Sequence, residues 1–317
     1  IVKSDNRIKH YLSGGNEYCS DGYCSTRGIT EDESGNIYVS YYNSIHVIDP
    51  DDNRVYPLFG NRNFFNYPYG LRYHRGALWT GNGRRIDLTT LEVDTLFAPG
   101  ARDKGTLTLD DKGRLWFAYE QQLYHYHPEK GSLTTYRDTT GTLDTLREIS
   151  YLYFCKSDRQ LWLGTRENGL YSLDPESGRF TGHFHTRSPF GQRLNHNRII
   201  AIQEMPGPTL WLATADGAHR LDLTSRRIRY WTEKNGLSNA FVNGLLPEGD
   251  SIVWISTDNG LSRYHRLKEQ FVNFFQKDGL TNNEFNRISF HRSEDGRLYF
   301  GGLNGVNAFY PGPWFSK

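Results

Sequence analysis

"IVWISTDNGLSRY", residues 252–264, reads as a strand, a tight turn and a second strand. The chain says nearly the same thing twice more, as "LWLGTRENGLYSL" at 161–173 and "LWLATADGAHRL" at 210–221. Three versions of one pattern make counting the copies the first step. Their shared core is an apolar triplet with a central aromatic. It recurs as Leu161-Trp162-Leu163, Leu210-Trp211-Leu212 and Val253-Trp254-Ile255. Looser copies are Ile37-Tyr38-Val39, Leu78-Trp79-Thr80, Leu115-Trp116-Phe117 and Leu298-Tyr299-Phe300. The seven anchors are spaced 41, 37, 46, 49, 43 and 45 residues apart.

Around each anchor the grammar is constant. An apolar strand such as "VNGLLPE" comes first, then an acidic, Gly-containing turn such as "EDESGN", "LDDKGR" or "SEDGR". The anchor strand follows, then a turn of the type "RENG", "ADG" or "DNG", which is a strong hairpin signal. A third strand runs to "IDP", "LDP" or "LDL". A last turn such as "DPESGR" leads to a fourth strand such as "FTGHFHT". Four short antiparallel strands per repeat is the size of a propeller blade. The expected fold is therefore all-β: a single seven-bladed β-propeller of four-stranded antiparallel blades, one domain over residues 1–317. The seventh unit begins near Asn286 and ends at "GVNAFYP" after three strands. "NRIKHYL", residues 6–12, is a spare strand at the other end. The segment 1–13 is expected to supply the outer strand of blade seven and so close the ring, removing open sheet edges.

Composition agrees. The 317 residues are 37% hydrophobic and 15% aromatic, with 21 Tyr, 18 Phe and 7 Trp, types that favour strands. No run approaches the roughly 20 apolar residues of a spanning helix. The single methionine is Met205, so residue 1 is no initiator and the chain is expected to be a mature or excised piece. Thirty-seven basic and 36 acidic residues give a net charge of +1, without the basic surplus of a nucleic-acid binder. The run Arg226-Arg227-Ile228-Arg229 reads first as a solvated hairpin and second as a phosphate contact. Cys19 and Cys24 in "YCSDGYC" are either a local disulfide, which suits an oxidising compartment, or two free thiols. Cys155 in "YLYFC" reads as a small core residue.

The segment 236–283, "GLSNAFVNGLLPEGDSIVWISTDNGLSRYHRLKEQFVNFFQKDGLTNN", closely resembles the two-component regulator propeller repeat. "GRLYFGGLNGVNAFYP", residues 296–311, resembles the last repeat of such arrays. The resemblance is strong over roughly 140–312 and degenerate before, where "RGITEDESGNIYVS" is the clearest piece. It implies the periplasmic sensor region of a Bacteroidetes hybrid two-component histidine kinase. It also implies downstream immunoglobulin-like and kinase domains, and for many relatives an oligosaccharide ligand; on the sensor hypothesis, ligand binding or assembly on the propeller would bias a homodimer. Full sensors of this kind often carry two propellers; this chain has one.

Chemistry is sparse. There is no G-x-S-x-G elbow, and "GNGRR" at 81–85 lies between expected strands rather than before a helix. The pairs His125/His127 and His183/His185 share a strand face at period two, but a metal needs a third ligand. Neither cofactor nor metal is expected. Starts of the innermost strands should face the central funnel. They carry Arg27, Tyr69, Lys104, Arg147, Glu148, Asn197, Arg198, Asn243, Asn286 and Arg287. Guanidinium, amide and phenol groups suit hydroxyl-rich or anionic ligands, and serve equally as strand caps. The expected function is non-catalytic ligand recognition. The alternatives are a lyase resembling streptogramin lyases, which would need clustered acid–base groups and perhaps Mg²⁺, or an interaction scaffold, for which the Gly-His and Trp-Asp signatures are missing.

Overall fold

The computed structural model describes residues 7–13, 24–41, 44–49, 51–60, 69–97, 105–144, 146 and 148–312. Among the described residues, apart from two single-turn 3₁₀ helices, Glu233–Asn235 and Gln276–Asp278, the regular structure is all strand. Seven four-stranded antiparallel sheets form the blades of a β-propeller. They span residues 28–57, 71–95, 106–135, 149–184, 199–231, 242–274 and 285–309. Every anchor triplet lies in the second strand of its sheet. The seventh blade has three strands of its own, and Lys9–Tyr11 adds the fourth, pairing Lys9 with Ala308, His10 with Asn307 and Tyr11 with Val306. The spare N-terminal strand thus completes the last blade as expected.

The anchor aromatics are the most deeply buried large side chains. Trp116, Trp162, Trp211 and Trp254 are fully buried, with Trp79 and Tyr299 nearly so. An indole buries much apolar surface but also an N–H, which is costly without an acceptor. In blades three, four and six an acid before the anchor strand supplies that acceptor, whereas Trp79 Nε1 in blade two has none among the described residues. Trp116 Nε1 donates to Asp110 Oδ2 at 2.8 Å, Trp254 Nε1 to Glu248 Oε2 at 2.7 Å, and Trp162 Nε1 to Asp158 Oδ2 at 3.2 Å. Tyr38 donates likewise to Asp32 Oδ2 at 2.9 Å. An arginine then covers the ring and the acid together. Arg114 lies 5.3 Å from the Trp116 ring and 2.6 Å from Asp110; Arg263 lies 5.9 Å from the Trp254 ring and 3.2 Å from Glu248. Burial alone would raise the Asp110 carboxyl, but the bonds from Trp116 and Arg114 outweigh it and hold the pKa below its ordinary value. The basic run is partly explained the same way: Arg226 lies 5.6 Å from the Trp162 ring and 4.8 Å from that of Phe184.

The chain divides into two compact units, 1–71 with 231–317, and 72–230. In the first, blade seven packs on blade one through Tyr299, Val306, Ile29 and Val39. Glu31 of blade one accepts from Glu294 N at 2.9 Å and faces His291 Nε2 at 3.2 Å. In the second unit, Trp116 and Ala118 of blade three pack on Leu152 and Phe154 of blade four. Blade four then meets blade five through Glu204, which accepts from Lys156 N and Ser157 N at 3.0 and 2.9 Å.

The glycine of the "DNG"-type turn has two jobs. It takes a left-handed conformation, with φ 86° at Gly169, 106° at Gly260 and 80° at Gly305. Its N–H also donates to the loop entering the next blade: Gly169 to Asn197 O at 3.1 Å, Gly260 to Asn283 O at 2.7 Å, Gly305 to Cys24 O at 3.1 Å. At Gly305 the closing strand passes so near that a Cβ would stand 2.3 Å from Tyr11 O. Gly305→Ala is therefore expected to destabilise by about 2–4 kcal/mol, combining left-handed strain with loss of the closing strand. The control is Gly296→Ala, also at positive φ but with open space around it. A urea midpoint that falls equally in both variants would reject the steric part of this account.

Candidate functional site

Within the first unit, three of the expected residues meet. Arg27 Nη1 donates to Asn286 Oδ1 at 3.3 Å, and the guanidinium lies 5.7 Å from the Tyr69 ring. Asn286 Nδ2 donates to Ser25 Oγ at 3.0 Å. The backbone fixes this group, since Arg27 N donates to Ser40 O at 2.7 Å and Gly70 N donates to Arg27 O at 3.0 Å. Arg27 and Tyr69 keep part of their surface, whereas Asn286 is buried. The cluster can offer guanidinium N–H groups to an oxygen-rich ligand from a fixed position. Arg287 beside it is half-buried.

Asn243 has a different role. It is 1% exposed, and its Nδ2 donates to both Asp258 Oδ1 at 2.8 Å and Phe285 O at 2.9 Å. Its amide hydrogens are used in tying blade six to blade seven.

In the second unit, Asn197 accepts from Thr186 N at 2.8 Å through its side chain and from Gly169 N through its carbonyl. Glu148 is exposed and 3.6 Å from Arg166 Nε. Arg198 N donates to His196 Nδ1 at 2.9 Å. Asn197 is thus a cap, while Glu148 stays accessible. Lys104 and Arg147 lie outside the described residues.

Among the described residues no group of three or more His, Cys, Asp or Glu could hold a metal. His125 and His127 stand 5.1 Å apart and His183 and His185 4.5 Å apart, ring centre to ring centre, so each pair does share a face. Cys24 is held in a disulfide, and Cys19 lies outside the described residues. Cys155 is free and buried, and burial pushes its thiol far above the ordinary range, away from nucleophilic use. No helix is long and apolar enough to cross a membrane.

Among the described residues of the second unit, two cavities stand out, neither expected from the sequence. One, of about 420 Å³, is lined by Phe190, Arg220, Asp222, Arg227 and Arg229. The other, of about 280 Å³, is lined by Glu120, Gln121, Gln122, Arg137 and Asp144. The available signal for the second was a turn, "YEQQL", without the glycine present in the turns of blades two and four to seven.

No family model matches the chain. Over 79 residues, 25% of the chain and 6% of the relative, it is 32% identical to histidine kinase P4 of Formosa agariphila. In fold it is similar to the extracellular domain of a hybrid two-component system from B. thetaiotaomicron, with a TM-score of 0.76 and 17% identity over 96% of this chain and 41% of that one. A second such domain from the same organism gives 0.73 and 19% over 95% and 40%. A streptogramin B lyase gives 0.70 and 15%, covering 95% of this chain and 96% of the lyase. The chain thus spans less than half of the solved sensor domains and a small fraction of the kinase. These likenesses show the propeller fold, and the resemblance to two-component sensors read from the repeats is met among the structural neighbours.

Two outcomes are expected. Asn243→Ala strands the buried carbonyl of Phe285 and loses the bond to the exposed Asp258 carboxylate, and should cost about 1–3 kcal/mol in urea unfolding, whereas Arg27→Ala should cost under about 1. Equal losses would make Arg27 as structural as Asn243. The second concerns pH. His219 is fully buried, its Nε2 accepting from Asn195 N at 2.9 Å, and burial lowers its pKa to about 3. Burial lowers His46 to about 4. Both are neutral when folded but titrate near 6.5 when unfolded. Their stabilisation is full above about pH 6.5 and is lost as pH falls below it, by up to about 1.4 kcal/mol per pH unit for each. His219→Gln should flatten the fall in urea midpoint between about pH 7 and 4.5; an unchanged slope would place the acid sensitivity elsewhere.

Proposed function

We propose that this chain is the ligand-recognition propeller of an extracytoplasmic two-component sensor, a single module without catalysis of its own. The observation that carries the reading is the conjunction of two likenesses: 32% identity to a histidine kinase over 79 residues, and the fold of sensor extracellular domains over 96% of the chain. The ligand class we propose is oligosaccharide. The cluster of Arg27, Tyr69 and Asn286 offers directed donors and a ring, which suit hydroxyl-rich molecules. Binding would bias a dimer equilibrium, and immunoglobulin-like and kinase domains on the same polypeptide would read it. Such a switch requires different affinity for the two states.

A propeller lyase is the second reading, favoured by the near-complete coverage of both chains in the lyase comparison. A thermal-shift screen against oligosaccharide classes, with Mg²⁺ and EDTA arms, separates the two. A ligand at 100 times its dissociation constant adds about 2.7 kcal/mol to stability. The sensor reading expects a shift with one glycan class, unaffected by EDTA and reduced in Arg27→Ala. A shift with Mg²⁺ alone, together with consumption of streptogramin B, would replace the sensor by the lyase.

A further inference from the structure

Three blades place an arginine beside the buried anchor tryptophan, on the next strand of the sheet. The register pairs Trp79 with Arg85 in blade two, Trp211 with Arg220 in blade five and Trp254 with Arg263 in blade six. In two of the three, acids take up the charge. Arg85 reaches Asp87 Oδ2 at 2.8 Å and Asp94 Oδ2 at 3.2 Å. Arg263 reaches Glu248 through both Nε and Nη2 at 3.2 Å. Blade five keeps the cation and lacks the acid. Glu248 stands two residues after Leu246, the strand partner of Trp254, whereas Met205 stands two residues after Gln203, the strand partner of Trp211. Met205 is buried and carries no charge.

Arg220 is left without an equivalent. Its Nε is buried with no hydrogen-bond partner among the described residues, and its Nη2 lies 3.8 Å from Asp222 Oδ2, beyond hydrogen-bond reach. Asp222 is committed to its own turn, where Oδ1 accepts from Thr224 N at 3.1 Å and from Ser225 N and Oγ at 2.8 and 2.9 Å. The outer strand gives no relief. In blade two the outer strand Val93–Thr95 adds Asp94. In blade five the outer strand Ile228–Trp231 contains no acid and, with the turn before it, adds Arg227 and Arg229. Arg220, Arg227 and Arg229 line the cavity of about 420 Å³, with Asp222 as the one acid among its lining residues. Three guanidinium groups against one carboxylate leave an excess of two positive charges around that space.

We propose that this cavity binds the tetrahedral oxyanion of a phosphate monoester whose apolar part rests on Phe190. Guanidinium groups meet phosphate oxygens in paired hydrogen bonds, and a phosphate monoester carries about −1.5 to −2 charges near pH 7, which matches the excess. Phe190 lines the same cavity and is 92% exposed, so a ring attached to the phosphate has an aromatic face beside it. The two walls are tied together, because Ile228 N donates to Gly191 O at 2.7 Å. The site shares no residue with the Arg27 cluster and does not depend on the oligosaccharide reading.

The test is calorimetric titration of the chain with inorganic phosphate and phenyl phosphate up to about 10 mM, with acetate and benzoate as carboxylate controls. Phenyl phosphate is expected to bind about tenfold more tightly than inorganic phosphate or benzoate. Arg220→Met should weaken it about tenfold or more, and Phe190→Ala should bring it down to the affinity of inorganic phosphate. Met205→Glu restores the acid that blade six has, and should abolish binding in a chain whose urea midpoint shows it folded. No heat with phenyl phosphate, or equal affinity in wild type and Arg220→Met, would overturn the inference. Undiminished binding in folded Met205→Glu would overturn it too, because the charge of Arg220 would then be idle. Benzoate binding as tightly as phenyl phosphate would overturn the phosphate class. Phenyl phosphate binding no better than inorganic phosphate would remove Phe190 from the site. Under every outcome the oligosaccharide screen still decides the sensor reading by itself.

Discussion

The structure depends on hiding a large aromatic in every blade, and in blades three, four and six on doing so without orphaning an indole N–H; blade two instead buries Trp79 Nε1 with no partner among the described residues. Each blade needs a large aromatic to fill the space beside its sheet, and in three blades that aromatic is a fully buried Trp with an acid from the preceding turn as acceptor. The same acid draws an arginine over the ring in blades three and six. Turn, anchor and cation therefore act as one unit. Removing the acid would leave a buried donor unpaired, and removing the aromatic would leave a buried carboxylate and a cavity. Such mutual dependence keeps the repeat recognisable while its other positions drift.

A second constraint is the close approach of backbone to backbone at the anchor–hairpin turn. Glycine there is both a conformational and a spatial requirement. The space beside Gly169, Gly260 and Gly305 is occupied by carbonyl oxygens of the outermost strand. The turn joins the inner and outer edges of one blade and reaches the loop that starts the next. Blade three turns without glycine: Tyr119 pairs directly with Gln122, and Glu120 and Gln121 take left-handed φ of 45° and 64°.

Much of this was legible beforehand. The seven anchors, the acidic turns and the spare strand at residues 6–12 are all local signals, carried by a few adjacent residues. The candidate site was less so. Arg27, Tyr69 and Asn286 do come together, yet Asn243 and Asn197, which look the same in sequence, spend their amides on structure. Asn243 reaches Asp258, 15 residues on, and the carbonyl of Phe285, 42 residues on. Nothing local distinguishes an amide consumed by such distant partners from one left for a ligand.

The closing strand has a consequence for the order of folding. Tyr11 and Val306, which pair in the last blade, are about 295 residues apart in the chain. During synthesis the first strand emerges long before its partner exists. It must remain unpaired while the intervening blades form, and the last blade presents an open edge until the two ends find each other. Joining so distant a pair has a large entropic cost and is intrinsically slow. The final event is thus a single docking step whose rate is set by chain topology, with an adhesive strand edge exposed in the meantime. In a crowded compartment that interval is the period in which two copies could exchange their first strands, and a one-residue misregister would turn Tyr11 from core to solvent.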